Sequence, residues 1–201
     1  MSREAIRHLR RTDRVLADII DRVGACRFDK RERGTHFAAL VRTIVFQQLS
    51  GKAASTILSR VHDLYGGRAP TAAELLETPD AQLRGAGIST QKSKYLRDLA
   101  ERVHDGRLPV TRLGRLDDSA VTEVLTGVKG IGVWTAQIFL MFRLGRPDVL
   151  PDGDLGIQNA IHRAYGLRRR PTPERVKKIG APWAPYRSVA SWYLWKSLDV
   201  T

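Results

Sequence analysis

A short segment in the second half of the chain has the residue types of a phosphate-binding turn. It reads Gly127-Val128-Lys129-Gly130-Ile131-Gly132 and comes directly before an apolar helical stretch. Glycines allow a tight turn and close approach of the backbone to a partner, and backbone N–H groups at a helix start bind anions. A plain turn between two helices is the alternative. The predicted phosphate contacts are Gly127, Lys129, Gly130, Gly132 and Thr135.

The charge balance favours a polyanionic partner for this turn. Lysine and arginine together number 34 against 21 acidic residues, which gives a formal net charge of +13 and a pI near 10.5. Such an excess is typical of proteins that bind nucleic acid or another anionic surface. A solvated basic surface without a partner is the alternative.

The remaining composition excludes several other kinds of site. A single cysteine, Cys26, rules out a disulfide within the chain, a cysteine-based zinc site and an iron–sulfur cluster. The histidines never fall four residues apart, which excludes the helical His pair of zinc hydrolases. The longest apolar run, Ile138–Phe142, is far shorter than the ~18–20 residues that span a bilayer. We therefore expect a cytoplasmic, nucleoid-associated protein with no membrane contact and no required cofactor.

The glycine turn and four other segments together resemble a known family. The turn lies within Leu125–Ala136, and an aspartate-containing Gly/Pro-rich loop, Val149–Ile157, follows it. The turn is similar to the helix–hairpin–helix of DNA base-excision glycosylases, and the family most resembled is that of 3-methyladenine DNA glycosylase II. The other similar segments are Gln47–Ala54, Gly87-Ile88-Ser89-x-x-Lys92 and Trp183-x-Pro185-Tyr186-Arg187-Ser188.

The resemblance implies a reaction as well as a fold. It implies hydrolysis of the N-glycosidic bond of alkylated purines in duplex DNA, the first step of base excision repair, by a monomeric enzyme. Bifunctional relatives carry a lysine two residues after the second hairpin glycine, where this chain has Trp134. Without that amine no Schiff base with the sugar can form, so the resemblance implies a monofunctional enzyme that uses water. The alternatives are a non-catalytic, architectural helix–hairpin–helix protein and a glycosylase for a different base lesion.

Asp154 is the predicted catalytic residue. A carboxylate can stabilise the positive charge that develops on the sugar and can orient or deprotonate the attacking water. The structural alternative is a helix N-cap, a common role for aspartate, and one residue can do both. Asp152, two residues earlier in the same loop, is the second candidate.

Aromatic side chains are the predicted walls of a pocket for the damaged base. An alkylated purine is cationic, and the face of an aromatic ring attracts a cation. The resemblance favours Trp134 for this role over core packing, with Tyr186 and Trp195 as weaker candidates. Trp183 and Trp192 are predicted to lie in the core.

A base that leaves the duplex leaves a gap, and the resemblance places a wedge residue in the segment Gln47-Gln48-Leu49. The polar pair breaks an otherwise apolar helical stripe. A glutamine pair at a solvated helix end is the alternative.

The resemblance also implies a monovalent cation, K⁺ or Na⁺, at the hairpin. Its ligands would be the backbone carbonyl oxygens of Thr126, Val128 and Ile131. Because only the backbone is involved, the side chains carry little information about this site.

The elements that must position these residues are predicted to be helices throughout. The apolar positions of residues 37–45 and 52–65 recur at helical spacing, and Thr35, Thr71, Thr78, Ser89 and Thr172 are predicted N-caps. Further helices should begin at Asp118 or Ser119, at Val133, near Asp154 and near Pro185. The helix 133–144 is apolar nearly all round, which predicts a central position.

These elements predict an all-α fold of two helical subdomains. Residues 36–144 should form one, and residues 1–35 with 145–201 a second, discontinuous one, joined through linkers at 31–34 and 145–153. The hairpin and Asp154 are expected at the cleft between them.

Overall fold

The computed structural model describes residues 3–26, 28 and 34–200. Within these ranges the chain forms twelve α-helices with short 3-10 turns, and no β-strand occurs there. The all-α prediction is confirmed. In chain order the α-helices are α1 (Arg3–Thr12), α2 (Arg14–Val23), α3 (His36–Phe46), α4 (Gly51–Asp63), α5 (Ala72–Glu77), α6 (Asp80–Gly85), α7 (Thr90–His104), α8 (Asp118–Thr126), α9 (Val133–Ile138), α10 (Leu155–Ala164), α11 (Pro173–Gly180) and α12 (Arg187–Ser197).

The chain divides into two compact units. One combines Met1–Arg31 with Gln137–Thr201, and the other is the continuous segment Glu32–Ala136. The second boundary therefore lies within α9, earlier than the predicted boundary after residue 144. Of the predicted linker at 31–34, residues 31–33 lie outside the described part of the chain.

The position of that boundary has a physical cause in the helix itself. After Ile138 the helix continues as a π-helical segment, Phe139–Leu144. Its side chains contact the C-terminal segment, since the Gln137 Nε2 group donates to the Leu150 carbonyl at 3.2 Å and Phe142 stacks on Trp195. These contacts assign this part of the helix to the discontinuous unit.

A half-buried aspartate connects several elements of the discontinuous unit. Asp13 caps α2 by accepting from Leu16 N at 3.0 Å, and its other oxygen accepts from Trp183 Nε1 at 2.8 Å and from the Tyr165 hydroxyl. Burial and the neighbouring carboxylate raise the pKa of Tyr165, so its hydroxyl keeps its proton and remains a donor. Trp183 is fully buried, which confirms its predicted core position, whereas Trp192 is only partly buried.

In the continuous unit α3 and α7 carry the central packing. The predicted apolar stripe of α3 is buried, and α7 packs against α3, α5 and α6. The stripe consists of Phe37, Leu40, Val41, Ile44 and Val45.

Several predicted helix starts are confirmed by their capping hydrogen bonds. Thr35, Ser89, Asp154 and Thr172 each accept a backbone N–H through the side chain, and Thr71 forms a capping box with Glu74. Each such cap satisfies an N–H group that the helix itself leaves without a partner.

One predicted N-cap, Thr78, is wrong by one residue, and the last helix begins two residues after its approximate predicted start. Thr78 ends α5, with its hydroxyl donating to the Glu74 carbonyl at 2.7 Å, and Pro79 occupies the N-cap position of α6. α8 begins at Asp118, one of the two predicted starts, and Asp117 is its N-cap, because the Asp117 side chain accepts from Ala120 N. The last helix begins at Arg187.

The prediction that the apolar helix 133–144 is central holds only for its middle. Phe139, Leu140 and Met141 are buried, but Val133 and Trp134 are 57% and 49% exposed. The start of this helix therefore lies at the surface and not in the core. No helix among the described residues is long and apolar enough to cross a membrane.

Candidate active site and nucleic-acid interface

Asp154 is held at the start of α10 by two hydrogen bonds to one oxygen. Its Oδ1 accepts from Ile157 N at 2.7 Å and from the indole Nε1 of Trp195 at 2.8 Å. The first bond is the N-cap that the sequence predicted as an alternative role. Two donors on the same oxygen fix the orientation of the carboxylate, which is what a group that must face one reacting atom requires.

Aromatic packing fixes Trp195 in turn. Its ring stacks on Phe142, with centroids 5.9 Å apart, and Phe142 packs edge-on against Phe28 at 5.5 Å. Trp195 was predicted as a wall of the base pocket, and the structure places its N–H on the predicted catalytic residue. Its role as a base contact remains a prediction.

Gly156 makes room for this arrangement, and sequence reasoning missed it. A Cβ at this position would lie 2.9 Å from Asp154 Oδ1 and 3.0 Å from Trp195 Cδ1. The signal was a glycine in the first turn of a helix, where it costs about 0.5–1 kcal/mol relative to alanine. Only glycine lets the indole reach the carboxylate at this distance.

Asp152, the second candidate, has other partners. Its Oδ2 lies 3.2 Å from Lys177 Nζ, and its backbone carbonyl accepts from Gln158 Nε2 at 3.1 Å. Asp152 therefore pairs with a lysine and is not held by two donors on one oxygen, which makes Asp154 the better candidate for the catalytic carboxylate.

The glycine hairpin connects α8 to α9, and its two key glycines differ. Gly130 has φ +81°, and a Cβ there would lie 2.3 Å from Cδ2 of Tyr95. At Gly132 a Cβ would meet nothing within 4 Å. The fold therefore requires glycine at position 130, whereas at position 132 the glycine leaves an open approach to the backbone.

Asp98 binds the hairpin through its carboxylate, and sequence reasoning did not predict this role. Its Oδ2 accepts from Lys129 N at 2.8 Å and from Arg102 Nε at 2.9 Å, and Lys129 Nζ lies 3.8 Å from its Oδ1. Burial raises its pKa, but these hydrogen bonds and positive charges outweigh burial, so the pKa of Asp98 lies below its usual range. The available signal was a carboxylate on the buried side of α7, four residues before an arginine. Because Asp98 takes the Lys129 N–H, that group is not available to a phosphate.

Exposed apolar residues mark the start of α9. Trp134 is 49% exposed, so the alternative of core packing for this side chain is wrong. Thr135 is only 7% exposed, so its side chain offers little surface to DNA. The contact of Trp134 with a base remains a prediction.

The predicted wedge segment lies between α3 and α4. Gln47 Nε2 donates to the Gly130 carbonyl at 2.8 Å, so this amide is bound to the hairpin. Gln48 has φ +56°, a left-handed conformation that costs energy outside glycine, and Leu49 is 40% exposed. The glutamine pair is therefore not simply a solvated helix end, and the identity of the wedge stays a prediction.

Tyr186, the third aromatic candidate, contacts α1. Its ring packs edge-on against His8 with centroids 5.4 Å apart. Burial together with the nearby Glu4 carboxylate raises the pKa of its hydroxyl. None of these contacts involves Asp154, and a place for Tyr186 in the base pocket stays a prediction.

Comparison with known proteins assigns the class. Residues 41–185 match the model of the HhH-GPD superfamily of base excision DNA repair proteins, and the chain belongs to this superfamily. Among its relatives is DNA-3-methyladenine glycosylase 1 of Schizosaccharomyces pombe, which is 36% identical over 83% of this chain and 74% of that protein. The alkylbase DNA glycosidase-like protein mag2 of the same yeast is 28% identical over 96% of this chain and 92% of its own length.

Solved structures agree with this assignment. The S. pombe 3-methyladenine DNA glycosylase Mag1, in complex with abasic DNA, superposes with a TM-score of 0.88 at 33% identity and covers 98% of both chains. A DNA-3-methyladenine glycosidase from Bacillus halodurans has a TM-score of 0.86 at 40% identity over 96% of this chain and 88% of its own.

Proposed function

We propose that this protein is a monofunctional DNA glycosylase that hydrolyses the N-glycosidic bond of alkylated purines of the 3-methyladenine type. It acts on duplex DNA in base excision repair. The observation that carries the proposal is the doubly held Asp154 carboxylate in a chain of the base-excision superfamily. Capping α10 explains the bond from Ile157 N, but an architectural DNA-binding protein does not need the second bond, from Trp195.

The chemistry follows from the charge that develops during bond cleavage. As the C1′–N9 bond breaks, its electron pair leaves with the purine, and positive charge develops on the sugar. The Asp154 carboxylate stabilises that charge. The oxygen of a water molecule then bonds to C1′ and loses a proton, for which the same carboxylate is the acceptor. The products are a free base and an abasic site.

Alkylation makes the base both a better leaving group and a better ligand for an aromatic ring. A methylated purine nucleotide is cationic and departs as a neutral base. The half-exposed Trp134 can stack on it, and attraction of the cation to the ring contributes about 0.5–2 kcal/mol. This selects cationic over undamaged purines.

The hairpin provides binding that does not depend on base sequence. Its backbone N–H groups that are not bound within the protein bind phosphate oxygens; those of Lys129 and Ile131 are excluded by their bonds to Asp98 and to the Val128 carbonyl. The exposed Lys129 side chain adds a positive charge. Affinity should therefore fall steeply with salt, with a slope of about −0.9 per phosphate contacted.

We also propose a monovalent cation, K⁺ or Na⁺, at the hairpin. Residues 126–132 line an open concavity of about 500 Å³. Carbonyl oxygens suit such an ion, and those at the end of α8 carry the negative end of its helix dipole. No cluster of three or more His, Cys, Asp or Glu side chains suited to a metal exists in the described part of the chain. The carbonyls of Thr126, Val128 and Ile131 would hold the ion, which would offset their mutual repulsion.

The decisive experiment measures base release from duplexes that each contain one methylated or etheno-modified base. We expect release of 3-methyladenine and related cationic purines. Release of only neutral lesions would contradict the alkylpurine assignment. No release from any duplex, with DNA binding intact, would favour the architectural alternative.

A second measurement tests the monofunctional assignment. Borohydride should trap no covalent protein–DNA adduct, because Trp134 occupies the position of the lysine in bifunctional relatives. A trapped adduct that disappears in Lys129→Ala would contradict the proposal. We further propose that the protein acts as a monomer in the cytoplasm, associated with the nucleoid.

A further inference from the structure

One face of α7 contacts both segments that the proposed function assigns to DNA. Lys92, Tyr95 and Asp98 are spaced three residues apart and so lie on the same side of the helix. We refer to these three side chains as the α7 face. Each contacts either the turn between α3 and α4 or the hairpin between α8 and α9.

Lys92 holds the α3–α4 turn. Its Nζ donates to the carbonyls of Val45 and Gln47 at 2.7 and 2.8 Å, where α3 ends and the helix leaves carbonyl groups without internal partners. Burial lowers the pKa of this ammonium group. Gln48, which follows Gln47, is the only non-glycine residue of positive φ in the described ranges. The backbone of the turn is therefore strained, and the two hydrogen bonds from Lys92 stabilise it.

Tyr95 and Asp98 hold the hairpin. The Tyr95 ring occupies the space where a side chain at position 130 would lie, and Asp98 accepts the Lys129 N–H at 2.8 Å. These contacts fix the two residues at the tip of the turn from the same helix that fixes the α3–α4 turn.

A direct hydrogen bond joins the two segments. Gln47, whose carbonyl is bound by Lys92, donates its side-chain amide to the Gly130 carbonyl at 2.8 Å. The path from Lys92 through Gln47 to Gly130 therefore consists of two hydrogen bonds and one residue.

We propose that the α7 face positions two segments as a single body through Gln47. One is the α3–α4 turn with the predicted wedge residues Gln47, Gln48 and Leu49, called the wedge turn below, and the other is the phosphate-binding hairpin. Phosphate binding at the hairpin then places the wedge turn against the duplex, so DNA binding and base extrusion occur in one step. This rests on the proposed function, which assigns the two segments to DNA. The three residues are positioning residues, because the contacts that define them lie within the protein.

The first test uses the protein without DNA and therefore does not depend on its activity. Hydrogen exchange of the Lys129 and Ile131 N–H groups reports hairpin order, since they donate to Asp98 and to the Val128 carbonyl. Lys92→Met removes a hydrogen bond from α7 to the α3–α4 turn, and Gln47→Glu removes the bond from that turn to the hairpin. In both variants we expect these amides to exchange roughly 3- to 10-fold faster, the effect of one lost hydrogen bond. Glutamate is close in shape to glutamine but cannot donate when ionised.

Arg97→Met is the matched control for this test. Arg97 lies on the same helix, but its guanidinium binds Asp80 and the carbonyls of Leu76 and Thr78. Its loss should leave exchange at the hairpin unchanged. Wild-type exchange at the hairpin in both Lys92→Met and Gln47→Glu, or equal acceleration in Arg97→Met, would overturn the proposal.

The second test separates binding from base release. Asp98→Ala should lower affinity for undamaged duplex roughly 3- to 10-fold, while Asp98→Asn keeps an acceptor for the Lys129 N–H and should retain most of the affinity. Lys92→Met should slow single-turnover base release more than it weakens binding. Equal losses in the two Asp98 variants, or a loss in Lys92→Met confined to binding, would contradict the inference. If the wild-type protein released no base, the proposed function would fail, and the exchange measurements would still decide the inference.

Discussion

The hairpin and the Asp154 site solve different problems with different parts of the chain. The hairpin uses backbone groups within a few consecutive residues. The Asp154 site uses a side chain restrained by Trp195, which lies 41 residues later in the sequence. In the proposed function the hairpin binds any phosphate, whereas the carboxylate must face one sugar carbon.

Each site contains a glycine at a position where a side chain would collide with an aromatic ring. The two glycines serve different purposes. Gly130 admits the ring of Tyr95 beneath the turn, and Gly156 admits the indole of Trp195 beside the carboxylate. The first glycine preserves the shape of a backbone, and the second preserves a hydrogen bond between two side chains. Damage at the first should affect binding, and damage at the second should affect catalysis.

Asp154→Asn is expected to separate the effects on base release and on DNA binding most strongly. Loss of the negative charge should raise the barrier by about 2.7–4 kcal/mol or more, a fall of roughly 100- to 1,000-fold in base release. Asparagine retains an oxygen to cap α10, so folding and affinity for abasic-site DNA should be nearly unchanged. Single-turnover release and equilibrium binding measure the two effects. Near-wild-type release would contradict the role of Asp154.

The second prediction compares the two glycines by the same substitution. Gly156→Ala should slow base release roughly 10-fold or more, because the Asp154–Trp195 hydrogen bond must lengthen, while affinity for DNA stays constant. Gly130→Ala should weaken binding to every sequence alike, since both the positive φ and the Tyr95 ring oppose a Cβ. Gly132→Ala adds no internal clash and serves as the control for hairpin folding. If Gly156→Ala lowered DNA affinity and the rate of base release together, the assignment of separate roles to the two glycines would be wrong.

Trp195→Phe tests whether the indole N–H or only the ring matters. Phenylalanine keeps an aromatic ring next to Phe142 but cannot donate to Asp154. A hydrogen bond to a charged group contributes about 1.5–3 kcal/mol, so base release should fall roughly 10- to 100-fold with little change in binding. An unchanged rate would show that the cap from Ile157 N is sufficient to orient the carboxylate.

The pH dependence of stability tests the contribution of Asp98, the carboxylate that binds the hairpin. The pKa of Asp98 is lower in the folded protein than its usual value of about 3.9. A carboxylate with a lowered folded-state pKa stabilises the protein above its unfolded pKa, and this contribution disappears as the pH falls through the folded pKa. Denaturation from pH 7 down to about pH 3 should therefore show a steeper loss of stability in the wild type than in Asp98→Asn. Parallel curves would assign no such contribution to Asp98.

The smallest effect is expected from the proposed cation. Replacing K⁺ by a bulky organic cation at constant ionic strength should weaken duplex binding a few-fold, because the carbonyls at the hairpin lose the charge that offsets their repulsion. The rate of base release from bound DNA should not change, since Asp154 does not contact the hairpin carbonyls in this proposal. Constant affinity under the exchange would contradict a cation at this position.

Local features were predicted well from the sequence. The all-α fold and the N-caps at Thr71 and Asp154 depend on residues at most a few positions apart, and all are present. The N-cap of α6 was misplaced by one residue and the start of α12 by two, because neighbouring residues also have capping or turn-forming side chains.

The contacts that restrain the two sites were not predictable in the same way. Asp98 reaches Lys129, Trp195 reaches Asp154 and Gln47 reaches Gly130 across long stretches of sequence. Nothing in the spacing of these residues indicates the pairing, because it depends on how helices pack. Trp134 shows the same limit, since its apolar neighbours suggested a central helix, whereas its ring is half exposed.

The sequence by itself determined the helices, the excess of positive charge, the glycine turn and the aspartate that opens α10. These depend on hydrogen bonds and steric limits between near neighbours, which amino-acid types fix directly. The tertiary structure alone decided which oxygen of Asp154 is held, why positions 130 and 156 exclude a side chain, and how Lys92 and Asp98 support two loops from one helix. Those features depend on distances of a few ångströms between remote residues, and only the packed chain sets such distances.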